Sequence, residues 1–183
     1  MLYLVTSNLH KLKEFQQLLP FPIQNVAIDL LEIQTTDRHA LIQNKLQQAY
    51  AQTQAPVLVE DTSLYFEAWN QLPGTLTKWF LQNLGGAGLF KALQPFQNFK
   101  AQAVCCIGYT PDGKVFHYFE GELSGHIVSP RGEGGFGWDP IFQPLGSFLT
   151  FGQMGQEEKN FISMRQKAIG ALSLFLERQA GQR

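Results

Sequence analysis

The chain has 183 residues and a formal net charge of −1, with 44% of its residues hydrophobic and 16% charged. This length suits one domain, or one domain with two lobes, and the apolar fraction excludes a wholly disordered chain. The balanced charge argues against a nucleic-acid duplex as the main partner, because proteins that bind duplexes carry a basic surface. A local cluster of lysines could still hold a small anion.

Export and membrane insertion are not indicated by the sequence. Residues 1–6 lack a basic region and are too short an apolar run for a signal peptide, and no stretch is long enough to span a membrane. Cys105 and Cys106 are neighbours, so they provide neither a disulfide framework nor a spaced metal site. We therefore expect a cytoplasmic protein with no membrane partner.

The first chemical motif is a strand, loop and helix. Residues 2–6 predict a buried strand, and residues 11–19 have apolar side chains at helical spacing before Pro20. Free N–H groups at the start of such a helix favour phosphate, and Lys11 adds a positive charge. Ser7 and Asn8 could donate further hydrogen bonds. The alternative is an ordinary loop in which Ser7 or Asn8 caps the helix.

The second motif is a pair of carboxylates. Residues 57–59 predict a short buried strand that ends at Glu60 and Asp61, whose side chains point to opposite sides if strand geometry continues. A carboxylate at a strand end can bind a hard cation or act as a general base. The alternative is a simple strand end followed by a turn that Asp61 caps.

The remaining elements alternate helices and strands. We predict that the final helix begins at Ser163, which forms a capping box with Gln166, and that the polar run 157–160 is solvated. The other predicted elements are strands at 23–28, 101–109, 115–120 and 122–128, a hairpin turn at 111–113, and helices at 39–52, 76–84 and 89–93.

A glycine-rich loop precedes a pair of aromatic residues. Residues 132–137 match G-x-G-x-x-G, but the dinucleotide fingerprint must open a helix, whereas two prolines follow here. No phosphate-binding P-loop motif occurs either. The loop is better interpreted as placing Phe136, Trp138 and Asp139 at a cleft, where aromatic faces suit a planar base. The alternative is turn glycines followed by core aromatics.

Taken together, the motifs resemble the inosine/xanthosine triphosphate pyrophosphatase family. The resemblance spans nearly the whole chain and keeps its order, although the family usually has glycine or asparagine at Ser7 and histidine at Met164. The matching segments are Thr6-Ser7-Asn8 with Lys11, Val59-Glu60-Asp61-Thr62, Leu72-Pro73-Gly74 with Lys78-Trp79-Phe80, Phe136-Gly137-Trp138-Asp139-Pro140, Glu157-Glu158-Lys159-Asn160 and Ser163-Met164-Arg165.

The resemblance implies an α/β fold with a long, mixed, twisted central sheet flanked by helices. It implies a single catalytic domain, residues 1–183, with two lobes around a nucleotide-binding cleft, and a homodimer. The implied reaction is hydrolysis of ITP, dITP or XTP to the monophosphate and pyrophosphate, which cleanses the nucleotide pool. The implied cofactor is Mg²⁺.

The resemblance also assigns residues. Glu32 and Asp61 match the metal carboxylates, and Asp61 matches the acceptor of the proton from the attacking water. A donor such as Arg165 opposite the 6-position would favour a 6-oxo purine over adenine. The implied substrate-binding residues are Thr6, Ser7, Asn8, Lys11, Lys45, Thr62, Lys78, Phe136, Gly137, Trp138, Asp139, Lys159, Met164 and Arg165.

Two other functions stay open at this point. A related Mg²⁺-dependent pyrophosphatase could act on other modified nucleotides, which Met164 would permit. A nucleotide-binding module without catalysis would keep the phosphate and aromatic loops but could dispense with Asp61. A structural protein fits least, because the polar clusters would then have no common purpose.

Overall fold

The computed structural model describes residues 1–181; residues 182 and 183, at the end of the predicted domain, lie outside the described residues. The described part contains seven strands and five helices. The strands are β1 Leu2–Val5, β2 Ile23–Val26, β3 Val57–Phe66, β4 Pro73–Gly74, β5 Lys100–Thr110, β6 His117–Ile127 and β7 Phe142–Pro144. The helices are α1 Leu9–Leu18, α2 Arg38–Thr53, α3 Thr77–Leu93, α4 Gln156–Ile162 and α5 Met164–Gly181.

All seven strands form one mixed sheet, which confirms the predicted fold class. The strand order is β2-β1-β3-β5-β6-β7, and β4 pairs separately with β3. Strands β1, β2 and β3 are parallel to one another where they pair, whereas β3, β5, β6 and β7 form antiparallel pairs. The division into two lobes stays a prediction.

The chain reverses its direction of travel across the sheet at β1. From β1 it crosses by α1 to β2 on one side, and then by α2 to β3 on the other side. Phe15 of α1 belongs to one core cluster, whereas Ile42 and Leu46 of α2 belong to a second cluster. The two helices thus cover opposite faces. Ligands in α/β sheets bind in the crevice that such a reversal opens beyond the ends of the strands.

Strand β3 is much longer than its sequence predicted. It continues from Val57 through both carboxylates to Phe66 and pairs with β5 over its whole length, so the predicted strand end before Glu60 is wrong. An uncovered edge of β3 arises for a different reason: β1 pairs with β3 only at Val57 and Leu58. Strand β4 next pairs with β3 at Leu64. Within the described chain, residues 59–63 therefore have a strand on one side alone.

Two glycines explain further differences from the predicted elements. The predicted strands 115–120 and 122–128 are one strand, β6, in which Gly121 provides room for α5: a Cβ there would lie 2.0 Å from the carbonyl oxygen of Met164. The predicted helices 76–84 and 89–93 are the two halves of α3, which kinks at Gly85 with φ of 65°. Glycine adopts this left-handed conformation without the usual steric cost.

The C-terminal region differs from its prediction in one respect. The final helix is confirmed, and Ser163 caps it by accepting a hydrogen bond of 3.1 Å from the Gln166 N–H. The polar run 157–160, predicted as solvated, lies in α4, where Lys159 and Asn160 are buried. Among the described residues, no helix is both long and apolar enough to cross a membrane.

Candidate active site

The loop after β1 opens the crevice and forms the start of α1. Asn8 caps the helix, since its Oδ1 accepts hydrogen bonds from the N–H groups of His10 and Lys11 at 3.0 and 3.2 Å. Thr6 Oγ1 accepts from the Asn8 N–H at 3.1 Å, and Ser7 Oγ donates to Asp29 Oδ1 at 2.7 Å. The capping alternative for Asn8 is thus correct, and the positive helix end faces the crevice. The adjoining cavity of about 240 Å³ is lined by Val5, Thr6, Ser7, Asn8, Lys11, Ile28, Asp29, Leu30, Glu32, Lys45, Glu60 and Lys78.

Glu32 lies between two lysines on the opposite wall of this cavity. Lys45 Nζ is 3.2 Å from one of its carboxylate oxygens and Lys78 Nζ is 3.0 Å from the other. Burial favours the neutral acid, but the two ammonium groups outweigh it and lower the pKa of Glu32. Lys45 Nζ also donates to the backbone carbonyl of Glu60 at 3.1 Å, so it joins Glu32 to the uncovered edge of β3.

Glu60 anchors a buried network of charges on the face of the sheet that α1 and α5 cover. Its carboxylate lies 2.6 Å from Lys11 Nζ and 2.9 Å from Arg165 Nη2, and it accepts a hydrogen bond from Thr62. Although burial opposes ionisation, Arg165 and Lys11 hold the pKa of Glu60 far below its ordinary 4.5. The pKa values of both Lys11 and Arg165 are raised against the same burial, because the carboxylate of Glu60 favours their charged forms.

The network continues from Arg165 to the glycine-rich loop. Arg165 Nη1 donates to Glu14, and Lys159 Nζ lies 3.1 Å from Glu14 and 2.7 Å from Asp139. Asp139 Oδ2 also accepts the N–H of Phe136 at 2.7 Å, which fixes the loop. Burial raises the pKa of Asp139 in spite of Lys159. Together these contacts form a series of charged side chains that leads from the β1 loop to the glycine-rich loop. Arg165, which belongs to it, is 0% exposed.

The ring of Phe136 covers the cations at the far end of this network. Lys159 Nζ is 4.5 Å from the ring centroid and Arg165 Cζ is 5.6 Å from it. His10 of α1 stacks on Phe136, with centroids 5.1 Å apart and planes 18° apart. A flat group bound here would therefore meet an aromatic ring and two buried cations.

Asp61 stands apart from this network. It follows Glu60 in β3, so its side chain is on the opposite face, where it is half-buried and its Oδ2 accepts from Ser63 Oγ at 2.7 Å. In the described part of the chain, its Oδ1 has no hydrogen-bond partner. Asp61 thus offers a free carboxylate oxygen in the stretch where β3 has a strand on one side alone.

Comparison with known protein families identifies the family to which this chain is related. The model of the Ham1 family matches residues 2–175. The chain belongs to the Ham1 family. "Inosine triphosphate pyrophosphatase 1" of Trypanosoma cruzi is 46% identical over 173 residues, which cover 92% of this chain and 88% of the relative. "Inosine triphosphate pyrophosphatase" of Schizosaccharomyces pombe is 44% identical over 176 residues, 94% of this chain and 93% of the relative.

Solved Ham1 structures share the fold. A HAM1 protein from Coxiella burnetii matches with a TM-score of 0.85 at 27% identity, over 97% of this chain and 99% of the other. The structure titled "Nucleoside-triphosphatase / dITP/XTP pyrophosphatase" from Mycobacterium abscessus matches with a TM-score of 0.73 at 26% identity, over 94% and 98% of the two chains. The long mixed sheet of this Ham1 chain is thus a property of the family.

Most of the predicted site residues meet around the crevice of this Ham1 chain. The β1 loop, Lys45, Lys78 and Glu32 line its cavity, and Lys11 and Thr62 join that cavity to Arg165 through Glu60. Asp61, Trp138 and Met164 lie elsewhere. Asp61 does not line this cavity, because its side chain is on the opposite face of β3 from Glu60. Trp138 is 7% exposed and packs in the core against Phe142 and Phe151, and the side chain of Met164 is 1% exposed in the same cluster. Their contacts with a base stay predictions.

Sequence reasoning missed two residues of this Ham1 site. Glu14 looks like an ordinary helix charge, yet it is 2% exposed and binds both Lys159 and Arg165. Its spacing of three from Lys11 was the available signal, because residues so spaced share a helix face. His10, which stacks on Phe136, carried no such signal, because its partner is more than a hundred residues away.

Proposed function

We propose that this protein hydrolyses non-canonical purine nucleoside triphosphates, namely ITP, dITP and XTP, to the monophosphate and pyrophosphate. The observation that carries the proposal is the bridge through Glu60. One of its carboxylate oxygens binds Lys11 beside the β1 loop, and the other binds Arg165 beside Phe136. A triphosphate site and a base site are thereby held at the two ends of one rigid network. The names of the relatives agree with this substrate class.

The triphosphate tail would bind at the end formed by the β1 loop. Phosphoryl transfer needs positioned donors and positive charge more than covalent help from the protein. The positive end of α1 faces the tail, although Asn8 Oδ1 accepts the N–H groups of His10 and Lys11. Thr6 adds a hydroxyl, and the hydroxyls of Ser7 and Thr62 would exchange their present carboxylate acceptors, Asp29 and Glu60, for phosphate oxygens. Lys11, Lys45 and Lys78 add three ammonium groups around one cavity.

Glu32, which lines this cavity, and Asp61, in the uncovered stretch of β3, match the carboxylates that hold Mg²⁺ in the family. Mg²⁺ prefers one or two carboxylates together with phosphate oxygens and water. Asp61 has a free oxygen, and Glu32 is held only by two lysines, one of them, Lys78, with a side chain 55% exposed. We propose that Glu32 and Asp61 hold Mg²⁺, which when bound would neutralise charge on the phosphates.

Asp61 would accept the proton of the attacking water. The water oxygen forms the new bond to phosphorus, the bridge between the α- and β-phosphates breaks, and pyrophosphate leaves. Asp61 suits this role because it is half-buried, outside the charge network, and free at one oxygen. Glu60 does not suit it, because its carboxylate binds two cations, a hydroxyl and the thiol of Cys105.

Discrimination of the base would rest on donors that adenine cannot use. The Nε of Arg165 is buried and has no acceptor among the described residues, although the Nη atoms are bound to Glu14, Glu60 and Thr62. A 6-oxo purine presents an acceptor, whereas the 6-amino group of adenine presents a donor. An unmatched buried donor costs about 1–3 kcal/mol. Asp139 would accept a purine ring N–H, and Phe136 would stack on the base.

A substrate panel tests the proposal. The protein is incubated with Mg²⁺ and ITP, dITP, XTP, ATP, GTP or CTP, and pyrophosphate and orthophosphate are measured separately. We expect pyrophosphate from ITP, dITP and XTP, with kcat/KM well above that for ATP. Orthophosphate as the main product, or equal rates on ATP and ITP, would refute it.

Assembly and location are proposals as well. We propose that the protein works as a homodimer in the cytoplasm, on the resemblance to its family. Sedimentation equilibrium would measure the mass of the assembly, and a monomer at micromolar concentration would contradict the dimer. Localisation of a tagged chain in cells would test the compartment.

A further inference from the structure

A second group of possible metal ligands lies on the α2 face of the sheet. Asp61, Cys106 and Glu120 are directly opposite one another on β3, β5 and β6, so their side chains share one face. His39, in the first turn of α2, reaches down to this row. Its Nε2 is 2.8 Å from Glu120 Oε1, and its ring stacks on Tyr118 with centroids 4.4 Å apart.

Three different ligand types converge at this point. One nitrogen of His39, the sulfur of Cys106 and one carboxylate oxygen of Glu120 all lie within 4.8 Å of one another. In a tetrahedral zinc site, bond lengths of about 2.0–2.3 Å place neighbouring ligand atoms roughly 3.3–3.8 Å apart. The hydrogen-bonded pair of His39 Nε2 and Glu120 Oε1, 2.8 Å apart, would have to open by about 0.5 Å, and separations as long as 4.8 Å would have to close by about 1 Å. The side chain of His39 is 53% exposed and has room to move.

We propose that His39, Cys106 and Glu120 form a binding site for Zn²⁺ with water as its fourth ligand. The thiol and imidazole distinguish this site from the all-carboxylate set of Glu32 and Asp61. Sulfur and nitrogen ligands favour zinc and cobalt, whereas Mg²⁺ requires oxygen. The site goes beyond the proposed pyrophosphatase reaction and does not depend on it.

The surroundings of the site are compatible with a bound cation. Arg38 Nε and His39 Nε2 both contact Glu120 Oε1, at 2.9 and 2.8 Å. Glu120 Oε2 is therefore the oxygen that would meet the metal, Arg38 can stay on Oε1, and His39 Nε2 must turn away from Oε1 to bind the metal. Cys106 is 2% exposed, which shields the metal–sulfur bond from solvent. When that bond forms, the thiol proton leaves to the solvent and no electron is transferred.

Cobalt provides a direct test, because a Co²⁺–thiolate bond absorbs in the near ultraviolet. Metal-free protein is titrated with Co²⁺ and then with Zn²⁺. We expect a thiolate band that saturates at one equivalent of Co²⁺ and disappears when Zn²⁺ replaces the cobalt. Cys106→Ser should abolish the band, and His39→Gln and Glu120→Gln should each weaken Co²⁺ binding by roughly tenfold or more.

Cys105 provides the matched control, because it is the neighbouring buried cysteine on the opposite face of β5. Cys105→Ala should keep the band and the Zn²⁺ affinity. Circular dichroism monitors folding. If Cys106→Ser does not fold, the Co²⁺–thiolate band of the wild-type protein and the Co²⁺ affinity of the exposed His39→Gln variant still test the proposed site. Absence of a thiolate band in the wild-type protein, or loss of the band only in Cys105→Ala, would overturn the proposal. Unchanged Co²⁺ affinity in His39→Gln would overturn it too.

Discussion

Glu60 and Asp61 are consecutive in β3, yet their carboxylates lie on opposite faces of the sheet. Glu60 is 5% exposed and bound to Lys11 and Arg165, whereas Asp61 is half-buried and accepts one hydrogen bond from Ser63. One carboxylate thus stabilises the fold, and the other is free for chemistry. Substitutions at the two positions should therefore have different consequences.

Asp61→Asn should abolish turnover while leaving the protein folded. The variant keeps a group that can bind Ser63 but loses the proton acceptor and a charge for Mg²⁺. Loss of general-base help alone typically lowers rate by ~10²–10⁴-fold. The measurement is kcat for ITP at saturating Mg²⁺, with thermal unfolding alongside. The exposed Glu177→Gln is the matched control, and near-normal turnover by folded Asp61→Asn would remove this residue from the mechanism.

Glu60→Gln should lower stability, and the loss should depend on pH. The variant leaves Lys11 and Arg165 without their shared carboxylate, and breaking a buried ion pair costs ~3–5 kcal/mol. Because the pKa of Glu60 in the folded protein is depressed below 4.5, its stabilising effect is present above pH 4.5 and is lost as pH falls. The free energies of unfolding of variant and wild type should therefore converge in acid.

Denaturant unfolding from pH 7 down to pH 3 measures that convergence. Glu14 also has a lowered pKa, so both proteins should lose some stability in acid. Glu177→Gln, at an exposed position, should differ from wild type by a small and constant amount. A gap between Glu60→Gln and wild type that stays constant across this range would show that Glu60 is not the titrating group.

Lys45→Ala and Lys11→Ala should weaken binding of the triphosphate far more than binding of inosine. Both ammonium groups line the cavity next to the β1 loop. Lys13→Ala is the matched control, because Lys13 is on the same helix as Lys11 but exposed. Calorimetric titration with ITP and inosine gives both affinities. Equal losses for the two ligands would mean that these lysines do not contact phosphate.

Arg165→Ala should narrow the preference for ITP over ATP. Loss of a buried donor worth about 1–3 kcal/mol corresponds to roughly a 5- to 150-fold fall in the ratio of kcat/KM values. The variant will also be less stable, because Glu14 and Glu60 lose a partner. The ratio, unlike either rate, is insensitive to the folded fraction. Arg178 is exposed on the same helix, so Arg178→Ala should keep the wild-type ratio of kcat/KM for ITP to that for ATP. If Arg165→Ala also keeps this ratio, Arg165 has no role in base recognition.

Local patterns in the sequence predicted most of the strands and helices, whereas the long mixed sheet was predicted from the family resemblance. Apolar runs identify strands such as β5, and the spacing of residues 39–52 identifies α2. The loop at residues 6–8 was singled out because it follows directly on a buried strand, and it does line the crevice cavity. The end of β3 was misplaced, because two adjacent carboxylates resemble a strand end until the pairing with β5 is known.

The charge network could not be predicted in the same way. Arg165 and Glu14 are 151 residues apart, and each lies in a helix whose local pattern is satisfied without the other. Their burial follows from the packing of α1 against α5, a tertiary contact. Polar residues are usually exposed, so a sequence pattern assigns Lys159 to solvent. In the folded protein its buried charge is instead paired with two carboxylates, which offset the cost of removing it from water.

The uncovered stretch of β3 has a consequence for solubility. Five residues of an interior strand present an edge to which an extended segment from another chain could add. Lys45 already binds the carbonyl of Glu60 there, and a charged side chain at an edge discourages such pairing. The same lysine that we assign to phosphate thus occupies an edge carbonyl that another strand would need for pairing, and it does so even when no substrate is present.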